Sequence, residues 1–160
     1  MGTVIEMNDK TTCFQREELE PILLKHSFKV GEVCNDEKVY YNKTPHTYIK
    51  YEYNFLKIFY KDELLKHSNF AFLKVFIFST YLNANDSVFL ERNMGYTTCF
   101  LNEVNSLSDL KDNIQKEIDM LEQGIRASVA ISGEKAKIKK RTSTKEHYQR
   151  ILKQIEDFVL

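Results

Sequence analysis

Leu107, Leu110, Ile114, Ile118, Leu121 and Ile125 recur every three or four residues, a stripe that an amphipathic helix satisfies and a strand does not. Ser106 stands just before it, with Asp109 three residues on, so that side-chain oxygens meet the orphan amides of a first helical turn. The spacing predicts a helix over 107–123, with Gly124 as its stop. Tyr148, Ile151, Leu152, Ile155 and Val159 form a second stripe after Ser143 and Glu146, the pair of a capping box, and predict a last helix over 145–159. The two form a helical hairpin with a loop over roughly 124–142.

Upstream, the stretch from Tyr40 to Tyr81 holds 13 of the chain's 20 Tyr and Phe residues, which places the main core there. A run near Phe28 to Cys34 and another over 38–42, parted by Asn35-Asp36, read as a hairpin. Ile49, Tyr51, Tyr53 and Phe55 alternate with Lys50, Glu52 and Asn54, which predicts a strand to about Tyr53. Thr44-Pro45 also makes a good helix start, and Tyr48, Tyr51, Phe55, Ile58, Phe59 and Leu65 fit a helical stripe, so a helix is expected over 54–67. The nearly unbroken apolar run over 70–81 reads as a central strand, and 88–91 with 96–101 as another hairpin turning at Gly95. Before these come a short strand over 3–7 and a helix over 14–25, opened by Thr12 and Gln15 and kinked or restarted at Pro21.

The expected fold is α+β: one domain over 1–160, an antiparallel sheet of five or six strands with packed helices over 1–104, and the hairpin over 105–160 with a basic loop at 133–145. At 160 residues, 42% apolar and 29% charged, the chain has the content of a globular domain and no apolar run of membrane-spanning length. Cytoplasmic residence, in the host if the protein is viral, follows from the lack of a secretory or transit pattern at Met1. The abundance of Lys, Asn, Phe, Tyr and Ile beside five Gly and two Pro is the mixture that AT-rich phage and viral genomes produce.

Function classes are excluded one by one. The formal net charge of zero gives no long-range attraction to nucleic acid or anionic lipid, so any such binding needs a local patch. No glycine-rich phosphate loop and no Gly-x-Ser-x-Gly elbow occur. His26, His46, His67 and His147 are scattered without metal-ligand spacing, and no metal or cofactor is expected. Cys13, Cys34 and Cys99 form no CxxC pair and read as small buried residues. A thiol enzyme using Cys34 with His46 or His67 is the weakest of the readings.

Two features remain. Tyr40, Tyr41, Tyr48, Tyr51 and Tyr53 offer large rigid surfaces with polar tips, suited to an interface that is wet when unbound. Lys135, Lys137, Lys139, Lys140 and Arg141 place five cations within seven residues, extended by Lys145, and would meet phosphates or an acidic protein face. Against that stands pairing within the chain, because 103–122 carries six acidic residues against Lys111 and Lys116. No stacking aromatic interleaves these cations, which favours a protein over nucleic acid. The expectation is therefore a non-enzymatic binding protein, a phage- or virus-type inhibitor that occludes a host protein or protein complex such as a CRISPR effector nuclease or a protease. The alternative is nucleic-acid binding through 135–145. No membrane partner is expected, and a homodimer would be one way to bury the helical stripes.

Overall fold

In the computed structural model the described residues are 7–31, 38–42, 44–60, 63–65, 69–83, 85–86, 104–131 and 134–160. They contain α1 (Arg16–Lys25), β1 (Lys29–Gly31), β2 (Lys38–Asn42), β3 (Thr44–Glu52), β4 (Phe55–Tyr60), β5 (Glu63–Leu65), α2 (Phe70–Ser79), α3 (Leu107–Ala130) and α4 (Lys135–Asp157). The class is α+β, with an antiparallel sheet and a C-terminal helix pair. The chain divides into two compact units, Met1–Thr80 with Leu160, and Tyr81–Val159.

In the first unit the strands follow one another in the order β1-β2-β3-β4-β5, each antiparallel to the next. Tyr53 (φ 50°) and Asn54 (φ 67°) both take left-handed backbone, which makes the β3–β4 connection a two-residue turn with the twist a tight hairpin requires. The chain therefore folds straight back on itself, and the helix expected over 54–67 is replaced by β4 and β5. Its apparent helical stripe was split by the pleat: Ile49, Tyr51, Leu56 and Ile58 are buried on one face, while Tyr48 and Phe59 pair on the other.

Helix α1 packs on the buried face of the sheet. Tyr40 donates to Glu20 at 3.2 Å, and Lys38 donates to the same carboxylate at 3.5 Å. Asn42 donates to the His26 carbonyl at 3.1 Å. The helix begins at Arg16 after Gln15, without a side-chain cap, and continues through Pro21. It ends in a Schellman motif in which Phe28 N–H bonds Leu23 O and Ser27 N–H bonds Leu24 O, with Ser27 at φ 69° where glycine is the usual residue.

The apolar run expected as a central strand is helix α2, capped by Asn69, whose side chain accepts from Phe72 N–H. All ten of its residues except Lys74 are buried, and Lys74 reaches Asp9 at 2.7 Å. A helix apolar all round lies inside a core. Ten residues exceed the usual buried strand, and Asn69 is the start signal that a strand does not need.

In the second unit α3 and α4 run antiparallel, as the pairings Lys111–Glu156 (3.7 Å), Glu122–Lys145 (3.2 Å) and Gly124–Arg141 (2.8 Å) require. Ser106 caps α3 as expected, accepting from Asp109 N–H at 3.1 Å. Both helices are longer than the sequence reading. Gly124 does not stop α3: the Arg141 side chain lies across it, and an added Cβ would meet Arg141 Cζ at 3.3 Å. The Ser/Thr cluster that resembled a start at Ser143 lies inside α4, where Thr142 and Thr144 donate to carbonyls four residues back at 2.7 and 3.0 Å. The basic loop is thus the first turns of α4, and the connection shrinks to 131–134. Of the strand expected over 3–7 all but Met7 lies outside the described residues, Met7 being in no strand, and the hairpin expected over 88–101 lies wholly outside them.

Candidate functional site

Cross-strand register sorts the five tyrosines. Tyr40 and Tyr51 belong to the core face. The Tyr40 hydroxyl is pushed far above its ordinary pKa by burial, and further by the charge and hydrogen bond of Glu20. Burial also raises Tyr51, with Glu17 adding to it, and its hydroxyl lies 2.8 Å from the Phe14 carbonyl and 2.7 Å from Asn54 Oδ1. Both are structural hydroxyls, so neither offers a surface in this fold.

The opposite face of the sheet carries the others. Lys29, Tyr41, Tyr48, Phe59 and Leu64 are in register on five successive strands. Tyr41 and Tyr48 have ring centroids 5.6 Å apart, and Tyr48 stacks on Phe59 at 4.7 Å with planes 16° apart. The row is open at its ends: Leu64 is 55% exposed, and Lys29 is exposed on β1. On the same face lie Lys50, the Lys57–Glu52 ion pair at 3.3 Å, and Phe55, 51% exposed. Tyr53 projects from the turn at 74% exposure. Gly31 completes the surface because Tyr41 lies over it, where a Cβ would come within 2.5 Å of the ring.

Phe55, Phe59 and Leu64 were not singled out from sequence. The period-two pattern over 55–59 was the available signal, hidden by the helical reading of the same residues.

The basic cluster divides in the same way. Arg141 donates to Gly124 O at 2.8 Å and to Ser128 Oγ at 2.6 Å, and Lys145 pairs with Glu122. Lys137 pairs with Glu134 at 3.1 Å, and hydrogen bonds from Ser128 and then Lys137 hold the Glu134 carboxyl below its ordinary pKa. Lys135, Lys139 and Lys140 are exposed and make no ion pair among the described residues.

A third cluster was not singled out from sequence, where His147 counted only among the scattered histidines. Asp86 is fully buried, with His147 Nδ1 2.6 Å from its Oδ1 and Arg150 donating to the same oxygen at 3.2 Å. Asn83 donates to Oδ2 at 3.2 Å. Burial pushes the Asp86 carboxyl up, and the hydrogen bonds from His147 and Arg150 outweigh it and hold the pKa below 3.8. Among the described residues no three His, Cys, Asp or Glu side chains come together as metal ligands, and no helix is long and apolar enough to cross a membrane. Cys13 is exposed; Cys34, Cys99, His67 and the side chain of His46 lie outside the described part.

No protein-family model, curated protein or solved structure matches the chain.

Proposed function

We propose that this protein is a non-enzymatic binding protein that docks on a protein partner through the outer face of its sheet. The observation that carries the reading is the Tyr41–Tyr48–Phe59–Leu64 row, continuous across β2 to β5 and flanked by Phe55 and Tyr53. Rigid aromatic surface with polar tips supplies contact area at small conformational cost. Single-stranded nucleic acid is the weaker occupant, since base stacking uses free ring faces and Tyr48 and Phe59 cover one another's. The backbone of Tyr53 supports the same reading. A bulky residue in left-handed backbone at a turn that favours Asn or Gly is strained, and such strain is retained where it serves a contact. On the AT-rich residue mixture that phage and viral genomes produce, we take the partner to be a host protein machine, a defence nuclease or a protease, and binding to act by occlusion.

The test compares the tagged wild-type protein with Tyr53→Ala/Phe55→Ser and Tyr48→Ala/Phe59→Ala variants for material captured from host cytosol, at low and high salt. The expected result is a protein retained at high salt and lost with both variants, while their circular dichroism is unchanged for the exposed pair. Equal capture by all three, or capture of nucleic acid alone, overturns the proposal.

A further inference from the structure

We propose that the tip half of the α3–α4 hairpin is an incomplete helical bundle that accepts an acidic amphipathic helix of a partner protein. This surface is separate from the sheet face and does not depend on it. Two observations lead here.

The first is a gradient of burial along one helix. In α3 the row Ile114, Ile118, Ile125, Val129 steps by four and seven residues and so stays on one face. Ile114 and Ile118 are buried, Ile125 is half-buried and Val129 is 67% exposed. At the connection Ile131 is 56% exposed. The base of the hairpin also buries Leu110, Tyr148 and Ile151, whereas no apolar residue of 121–141 is buried. Among the described residues no third element covers this row, and a third element is the usual remedy for a two-helix stripe.

The second is charge. The segment 124–141 has six Lys and Arg against Glu134 alone, net +5, in a chain of net zero. The rest of the two helices, 107–123 and 142–157, has eight acids against five bases, net −3. A partner covering the tip must therefore be acidic as well as apolar. A second copy of this chain fits poorly: tip against tip sets two +5 segments together, and tip against base offers no uncovered apolar row. Duplex nucleic acid would meet the charge and leave Val129 and Ile131 in water. The stretch from Leu121 to Ile131, whose apolar residues are half-buried or exposed, is about 16 Å long, so a helix of about three turns covers it.

The probe is a synthetic helical peptide of about 18 residues, with a Leu stripe and Glu on both flanks, long enough to hold a helix when bound. Binding to the full chain is read by fluorescence anisotropy. The expected result is saturable binding weakened at least about tenfold by Lys135→Gln/Lys139→Gln/Lys140→Gln and, separately, by Val129→Ser/Ile131→Ser. These side chains are exposed, so the variants fold, which circular dichroism verifies. Tyr53→Ala/Phe55→Ser should leave this binding unchanged, which separates it from the sheet-face proposal. The idea is overturned by no binding, by polyglutamate binding equally well, or by indifference to Val129→Ser/Ile131→Ser. It is also overturned if phosphatidylserine vesicles or duplex DNA bind the tip while the peptide does not, or if sedimentation shows a dimer that Val129→Ser/Ile131→Ser dissolves.

Discussion

The buried carboxylate of Asp86 sits 2.6 Å from the imidazole of His147, a residue 61 positions later in the chain. It fixes the short segment at 85–86 to helix α4 by charge-assisted bonds that Arg150 shares.

Removing that carboxylate by Asp86→Ala is expected to cost about 2–4 kcal/mol, because hydrogen bonds to a charged group from His147, Arg150 and Asn83 are lost in a buried setting. Arg150→Ala should cost less than about 1 kcal/mol, since the guanidinium is half-exposed. Urea unfolding followed by helical circular dichroism measures both, and equal losses would contradict the assigned burial.

The pH dependence of the same group has a definite sign. Folded Asp86 binds its proton less readily than the unfolded chain, whose carboxyl titrates near 3.8. Its contribution is present above that value and is lost as pH falls through the lower folded pKa. In Asp86→Asn the stability curve below about pH 4 should be flatter than in the wild type. Parallel curves would remove Asp86 as the cause.

Three non-glycine residues hold left-handed backbone at element ends, Ser27 after α1 and the pair Tyr53 and Asn54 between β3 and β4, and of these only Asn54 is of a type that takes it readily. Ser27→Gly and Tyr53→Asn should each raise stability by about 0.5–1 kcal/mol by relieving strain. Only the second should weaken partner capture. A gain in stability with unchanged capture from Tyr53→Asn would detach the strain from the binding face.

Gly124 and Arg141 are coupled, since the guanidinium donates to Gly124 O at 2.8 Å and a Cβ added at 124 would stand 3.3 Å from its Cζ. Alanine in a helix interior gains about 1 kcal/mol over glycine. In Gly124→Ala that gain is offset by displacing Arg141 from its bonds to Gly124 O and Ser128 Oγ. The single variant should therefore be near neutral, and the same change in an Arg141→Ala background should stabilise by about 1 kcal/mol. A double-mutant cycle with no coupling would show that glycine at 124 serves something else.

What could be read without a structure was local. The stripe from Leu107 to Ile125 and its Ser106 cap are decided by side chains within a few residues of one another, and so is the division of Ile49 and Tyr51 from Lys50 and Glu52. Pairing of the basic segment with the acidic helix was also open to a sequence reading, and Lys145–Glu122 bears it out, whereas Lys111–Glu156 joins a base of the acidic helix to an acid of the last one. Where competing local signals met, tertiary contact chose. The run at 70–79 is helical because it can be buried on every side, and 55–60 turns back on 44–52 as a hairpin because Tyr53 and Asn54 accept left-handed backbone. Gly124 continues a helix because Arg141 needs the space, and the Thr142–Thr144 hydroxyls turn inward to their own helix. The aromatic row depends on register, in which a slip of one residue would send Tyr41, Tyr48 and Phe59 to the other face. Residue types and short spacings are properties of the chain itself, whereas pleat, register and the reach of side chains across 13 to 64 positions exist only once the elements have packed.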